Sequence, residues 1–509
     1  MTTTGSPDTT GSLSTVAARG ASYTVVGQLI RIVVLFAGTI VLARILSPTD
    51  FGLVAIVTSL VAFGELVRDF GLSTAAAREK HLSHRQQSNL FWINTGLGCL
   101  LGVVTWLLAP VVASVFSDDA LADIVRWSSV VFVVNGAATQ FRAELNRRLD
   151  FRKLALVDTA PVVIGLGSAV GFVLLVEPNY WALVCQQVVT AVCGLVLAVL
   201  ASGWLPGLPG RGGSVRHLLS FGFGLFGTQG VAYFTRNVDS LSLGYVWGPA
   251  ELGVYNRAYQ LLMVPINQVA APLTRVAVPI LTRVADQRER LQSYLRTGQL
   301  MGGVVLGITY GILFGLAGPI VTLVFGDPWT SMIPIFQALA IGGAFRALNQ
   351  VTFWAFLAKG ETTAQFRFYL VSQPLIVAAM LAGLPWGALG VAVGHSVGYG
   401  INWVLSYWWC GRVTGIDMGE LFVSGTKCLA VFAVPPGIFG IVVSSFVPNP
   451  LAAIGAGLTV TAAYFGALWF TSRFARETFL LGRHAVGKVL DRKSTRRRPA
   501  TVSSDSTAS

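Results

Sequence analysis

The chain has 509 residues, of which 53% are hydrophobic and only 12% charged, with a mean hydropathy of +0.66. Soluble domains carry about 25% charged residues, so this composition excludes a soluble globular protein and places the chain among polytopic helical membrane proteins. A net charge of +13 would suggest nucleic acid in a soluble chain, but here the side of the membrane on which the cations sit matters more than their sum.

In chain order, residues 1–19 are rich in Ser, Thr and Gly, with no basic segment ahead of a short apolar core. They are expected to be a disordered cytoplasmic tail rather than a cleavable signal peptide. Nearly charge-free runs, each long enough to cross a bilayer, then predict helices at 20–44, 52–75, 88–116, 121–145, 153–176, 180–204, 217–246, 252–281, 293–325, 331–358, 364–385, 387–411, 420–446 and 449–472. The expected fold class is all-α, with about fourteen transmembrane helices. Residues 473–509 turn basic and are expected to be a cytoplasmic tail touching anionic lipids. The five cysteines fall in apolar segments without metal-ligand spacing, so they read as small apolar helix residues.

The loops alternate in charge. Arg78, Lys80 and Arg85, then Arg147, Arg148, Arg152 and Lys153, then Arg283, Arg288 and Arg290 fall on one side. The opposite loops, such as "SDDALAD" and "FGDPW", are acidic or nearly neutral. Short-loop Lys/Arg bias puts the basic loops and both termini in the cytoplasm.

A repeat underlies these turns. "RILSPTDFGLV" (44–54) and "YVWGPAELGVY" (245–255) align without gaps at an offset of 201, setting Pro48 on Pro249, Asp50 on Glu251 and Gly52 on Gly253. The same offset sets Gln28 on Gln229. The two turns share a membrane side, and each starts an even-numbered helix. The expected organisation is an N-lobe over 20–204 and a cytoplasmic linker over 205–216. A C-lobe over 217–411 and two added helices over 412–472 follow. Repeats in the same orientation are related by an axis along the membrane normal, with a substrate path between them.

Several charges lie inside predicted spans. Arg31, Arg236 and Arg346 sit well within helices one, seven and ten. An Arg at a helix centre costs about 2.5–3.5 kcal/mol to insert, so these side chains are expected to face a wet interior rather than lipid. A cavity with surplus guanidinium suits an anionic ligand, phosphate above all. With Gln28 and Gln229, these arginines are the substrate-binding candidates. Near the end of helix two, Glu65, Arg68 and Asp69 share one face. They are either an ion-pair clamp to a neighbouring helix or a cytoplasmic gate. Asp239 either neutralises Arg236 or is a coupling-ion site. Arg257 is expected to snorkel to the interface. Asn135, Asp158, His395 and Asn402 read as hydrogen-bonders between helices. The sequence contains no GxxxxGK[ST], no HExxH and no acidic pair on a long outer loop, so no enzyme, cofactor or metal is expected.

The stretch "ARILSPTDFGLVAIVTSLVAFGELVRDFGLSTAAAREKHLSHRQQSNLFWINTGLG" (43–98) closely resembles the Wzx-like polysaccharide exporters of bacteria, the colanic-acid and teichuronic-acid branch in particular. "ELNRRLDFRKLALVD" (144–158) and "GPAELGVYNRAYQLLMVP" (248–265) are similar to the same family. The resemblance implies the multidrug/oligosaccharidyl-lipid/polysaccharide exporter superfamily, with two six-helix lobes around a cavity that opens alternately to each side. It further implies an oligosaccharide on polyprenyl pyrophosphate as the cargo, flipped across a bacterial plasma membrane for cell-surface polysaccharide synthesis. Membrane lipids and polysaccharide polymerase or assembly proteins are the other candidate partners; nucleic acid is not. Alternatives from the same superfamily are a cation-coupled drug or metabolite antiporter and a peptidoglycan-lipid flippase. A membrane glycosyltransferase or polymerase is a more distant one.

Overall fold

The computed structural model describes residues 31, 33–69, 83–148, 150–210, 216–477 and 480. Regular structure among the described residues is helical, and eleven stretches are long and apolar enough to cross a bilayer. Two of these, Asn237–Arg283 and Thr362–Thr414, run for 47 and 53 residues. At 1.5 Å per residue each would reach about 70–80 Å, more than twice the roughly 30 Å hydrocarbon core, so each has to be two spans. The backbone breaks where that requires: at Gly248, with φ 82°, and at the 3₁₀ turn Leu384–Trp386 followed by Gly387, with φ 68°. Both glycines occupy the positive-φ region that side-chain-bearing residues avoid.

The helices are therefore α1 (Val33–Ala43), α2 (Pro48–Asp69), α3 (His84–Phe116), α4 (Ala120–Arg147), α5 (Phe151–Leu175) and α6 (Trp181–Ser202). Next come α7 (216–247), α8 (249–283), α9 (Arg288–Gly315, continued by Ala317–Val324), α10 (Met332–Lys359), α11 (Thr362–Gly383) and α12 (Gly387–Thr414). Finally, α13 (Met418–Phe432, resumed as Val434–Phe446) is interrupted ahead of Pro435 and Pro436, and α14 spans Pro450–Thr471. This is the succession expected from hydropathy. Local chemistry sets the starts. Ser47 and Asp50 form a reciprocal cap at α2, backbone N–H to Oδ2 at 2.9 Å and Asp50 N–H to Ser47 Oγ at 3.2 Å. Ser83 and Gln86 make the same arrangement at α3, and Asn449 caps α14 ahead of Pro450.

Packing divides the chain into two compact units. The first comprises Met1–Ala258, Val324–Met332 and Met380–Val391. In it α3 crosses α4 at small residues: a Cβ on Gly98 would lie 2.5 Å from the Phe132 carbonyl oxygen, and one on Gly136 would lie 2.7 Å from that of Asn94. Where α4 ends, Glu144, only 3% exposed, accepts from Arg147 Nη2 at 2.6 Å, Arg148 Nε at 2.5 Å and Gln87 Nε2 at 3.2 Å. Arg148 also donates to the Ser202 carbonyl, so a single carboxylate ties α3, α4 and α6 together.

The two repeated turns meet inside this unit. Gly52 of α2 lies against the Pro249 carbonyl, and Gly253 of α8 lies against the Pro48 carbonyl, so that a Cβ at either glycine would overlap the opposite backbone. Trp329 Nε1 donates to the Ala43 carbonyl at 2.8 Å, and Trp247 Nε1 to the Leu384 carbonyl, also at 2.8 Å. The second unit comprises Tyr259–Leu323, Ile333–Ala379 and Ala392–Ser509. There α9 and α13 cross at Gly315, Gly437 and Gly440, and Trp403 stacks between Phe345 and Phe422.

Backbone cannot yield as a side chain can. Gly52→Ala should therefore cost about 3 kcal/mol or more, read as a fall in the thermal-unfolding midpoint of the detergent-purified protein. Gly96→Ala, whose Cβ meets nothing within 4 Å, should not lower the midpoint, since alanine is the better helix former.

Candidate functional site

A cavity of about 630 Å³ lies within the first unit, and its lining follows from helical periodicity. Thr58, Val61, Ala62 and Glu65 present one face of α2, and Val131, Asn135 and Arg142 one face of α4. From α5 come Asp158 and Pro161, and from α6 come Leu183, Gln186, Gln187 and Thr190, spaced as neighbours on one helical stripe. Arg31 and Arg257 complete the polar lining.

Of the residues expected from sequence to bind ligand, Arg31 lines this cavity. Gln28 lies outside the described residues, and so do the side chains of Gln229 and Arg236. Arg346 belongs to the second unit, where it donates to Tyr259 Oη at 3.3 Å and lies over the Tyr399 ring at 5.2 Å. His395 packs beside it, 4.6 Å from the Tyr399 ring centre, with neither ring nitrogen hydrogen-bonded among the described residues. The expected role of His395 as a hydrogen-bonder between helices is thus not what the side chain does; its contacts are aromatic.

The cluster at the end of α2 is a closed ring of bonds. Arg68, 6% exposed, donates through Nε to Glu65 Oε2 at 2.8 Å and through Nη1 to Thr139 Oγ1 at 2.7 Å. Thr139 donates to the Asn135 carbonyl, and Asn135 Nδ2 donates to Glu65 Oε1 at 3.2 Å. These bonds join α2 to α4, and Asn135 does bond between helices. The Asp69 side chain lies outside the described residues. Asp239, 4% exposed, accepts from Tyr255 Oη at 2.7 Å and from the Ser240 backbone N–H at 2.8 Å. It joins α7 to α8 across the break at Gly248.

Three residues of the lining carry more than sequence reading assigned to them. Arg257, expected to snorkel, instead lies 4.0 Å from the centre of the Phe51 ring and faces the cavity. Asp158, expected to bond between helices, lines the cavity without an ion pair among the described residues. Arg142 was not singled out. No ion pair among the described residues includes it, and its Nε has no hydrogen-bond partner there. Its Nη2 rests where a Cβ on Gly194 of α6 would stand, 2.8 Å away, so the glycine leaves the notch in which the guanidinium sits.

Arg31, Arg142 and Arg257 with the adjoining Arg68 make four guanidinium groups, against the two carboxylates Glu65 and Asp158. The surplus is two positive charges. In a cleft walled by apolar helices such a surplus focuses the field on an anion, and a guanidinium fork matches two phosphate oxygens at once.

Residues 41–334 match the family model for "Polysaccharide biosynthesis protein". The chain belongs to that family. It is 28% identical over 396 residues to the lipopolysaccharide biosynthesis protein WzxC of Escherichia coli strain K12, covering 76% of this chain and 79% of that protein. It is 26% identical over 422 residues to the teichuronic acid biosynthesis protein TuaB of Bacillus subtilis strain 168, covering 81% and 86%. Among solved structures, the lipid II flippase MurJ in its inward closed conformation is similar, with a TM-score of 0.66 and 12% identity over 89% of this chain and 99% of that one. The fold is that of the MurJ structure, and the chain is a multi-pass membrane protein.

The ring around Arg68 makes a prediction about stability. Glu65→Gln should lower the unfolding free energy by about 2 kcal/mol, the usual worth of a hydrogen bond to a charged group. Glu65→Gln combined with Arg68→Leu should cost less than the two single changes added. Thermal unfolding in detergent measures both.

Proposed function

We propose that this protein is a flippase that carries oligosaccharide linked to polyprenyl pyrophosphate across a bacterial plasma membrane for cell-surface polysaccharide synthesis. The observation that carries the reading is the cationic cavity of the first unit, with Arg142 seated in it and lacking an acidic partner among the described residues. Similarity to the lipopolysaccharide biosynthesis protein WzxC and the teichuronic acid biosynthesis protein TuaB supports it.

The physics of the cargo sets what the chain has to do. Sugar hydroxyls and phosphate oxygens stripped of water cannot cross hydrocarbon unaided, whereas the prenyl tail is at home there and need not enter the protein. In the proposed topology both termini are cytoplasmic and α4 ends on the cytoplasmic side. Arg142 stands five residues before that end, about 8 Å along the helix axis. That depth is within reach of a pyrophosphate lying at the inner interface. Arg31 and Arg257 extend the positive field along the cavity, and the apolar helices around it keep each charge effective. Rocking of the two repeat-related lobes then exposes the loaded cavity to the other side. Arg346, Arg236, Gln28 and Gln229 are proposed contacts from later in that cycle. Glu65 and Arg68 hold α2 against α4 throughout, in preference to acting as a gate, because their bonds close within one unit.

A cation-coupled antiporter is a second reading, and Asp239 favours it. Its buried carboxylate is held by neutral donors, Tyr255 and the Ser240 backbone. In the flippase reading the same carboxylate is the proposed coupling-ion site. Asp239→Asn in proteoliposomes should then abolish dependence of transport on a proton or sodium gradient.

Arg142→Ala should reduce surface polymer at least tenfold in a host lacking its own exporter, with normal membrane insertion, and Arg142→Lys should restore only part because the fork is lost. Wild-type polymer from Arg142→Ala refutes the reading. The topology is tested separately: Asp118→Cys and Asp327→Cys should react with an impermeant maleimide added to whole cells, and Arg288→Cys should not.

A further inference from the structure

The cavity has a second chemical character that its surplus charge does not explain. On α5 and α6, Asp158, Gln186 and Gln187 face the space occupied on its other side by Arg142. None of the three side chains makes a hydrogen bond or ion pair to another described residue, whereas Thr190 donates to the Gln186 carbonyl and Glu65 is taken up by Arg68 and Asn135. Asp158 and Arg142 both line the cavity, yet no ion pair joins them. A carboxylate that only neutralised the arginine would be in contact with it.

This donor and acceptor set fits a polyol. An ionised carboxylate accepts from two hydroxyls at once, and each carboxamide offers two N–H donors and an accepting oxygen. Pockets that bind one ligand out of many similar ones are apolar with a few such groups, and a site built to bond a hydroxyl rejects the analogue without it. A bare phosphate would find Asp158 repulsive, so the arrangement favours a ligand whose anionic part stops at Arg142 and whose neutral hydroxylated part continues towards α5 and α6.

We infer that Asp158, with Gln186 and Gln187, reads hydroxyls of the sugar next to the pyrophosphate, while Arg142 takes the phosphate. This rests on the flippase reading and adds to it a site for the first sugar and the residues that discriminate among first sugars. Recognition would then depend on the carrier-proximal sugar more than on the length of the oligosaccharide.

The test compares two probes on the protein purified into nanodiscs: undecaprenyl pyrophosphate without sugar, and the undecaprenyl-pyrophosphate-linked oligosaccharide extracted from the native host. The wild-type protein should bind the sugar-bearing probe at least about tenfold more tightly than the bare one, as expected for a hydrogen bond to a charged group. Asp158→Asn should bring the two affinities together by weakening binding of the sugar-bearing probe, without weakening that of the bare one. Arg142→Ala should weaken both. The inference is overturned if Asp158→Asn keeps the wild-type preference, or if it weakens binding of the bare probe as Arg142→Ala does. If Asp158→Asn does not insert, Gln186→Leu with Gln187→Leu is put to the same comparison, and a preserved preference overturns the inference equally. Wild-type protein that binds neither probe would instead sink the flippase reading beneath it.

Discussion

Guanidinium groups below the surface of a bilayer are the constraint around which the first unit is arranged. Each costs several kcal/mol unless water, a partner or a ligand takes its hydrogen bonds. The unit meets that cost in different ways. Arg68 is bonded to Glu65 and Thr139 and becomes part of the wall. Arg257 spreads its charge over the face of Phe51. Arg142 lies in a notch at Gly194 and keeps an unbonded Nε beside the cavity. Arg68 is thereby spent on holding helices together, whereas Arg257 and Arg142 keep their charge at the cavity, Arg142 with hydrogen-bonding capacity to spare.

Much of the architecture was legible without coordinates, because hydrocarbon thickness acts on the length and composition of segments rather than on contacts. The succession of spans and the turns at Gly248 and Gly387 follow from segments too long to cross once. The site was legible only in outline. Arg31 stands out because it interrupts an apolar helix, and it does line the cavity. Arg142 did not stand out, since it lies close to the basic end of α4 and reads as one more loop cation. Gln186, Gln187 and Thr190 did carry a signal, polar residues at helical spacing on an otherwise apolar α6, but without the helix rotation that stripe could face lipid, core or cavity alike. Asp158 was visible and its role was not, because hydropathy marks a polar residue without saying whether another side chain meets it.

Arg346 illustrates the opposite limit. It stands mid-helix as Arg31 does, and the two are equivalent by insertion cost. In the second unit it is surrounded by Tyr259, Tyr399 and His395, a setting that gives a guanidinium ring faces and a hydroxyl rather than open space. Equal cost of insertion does not imply equal access to a substrate.

The turns at Pro48 and Pro249 carry a further implication. Each turn's glycine lies on the other turn's proline carbonyl, so the contact is its own mirror under exchange of the two copies. That reciprocity is the signature of a two-fold, isologous interface. A side chain gained at either glycine would press on the other turn's backbone, so the junction ties any change in one turn to a matching change in its copy.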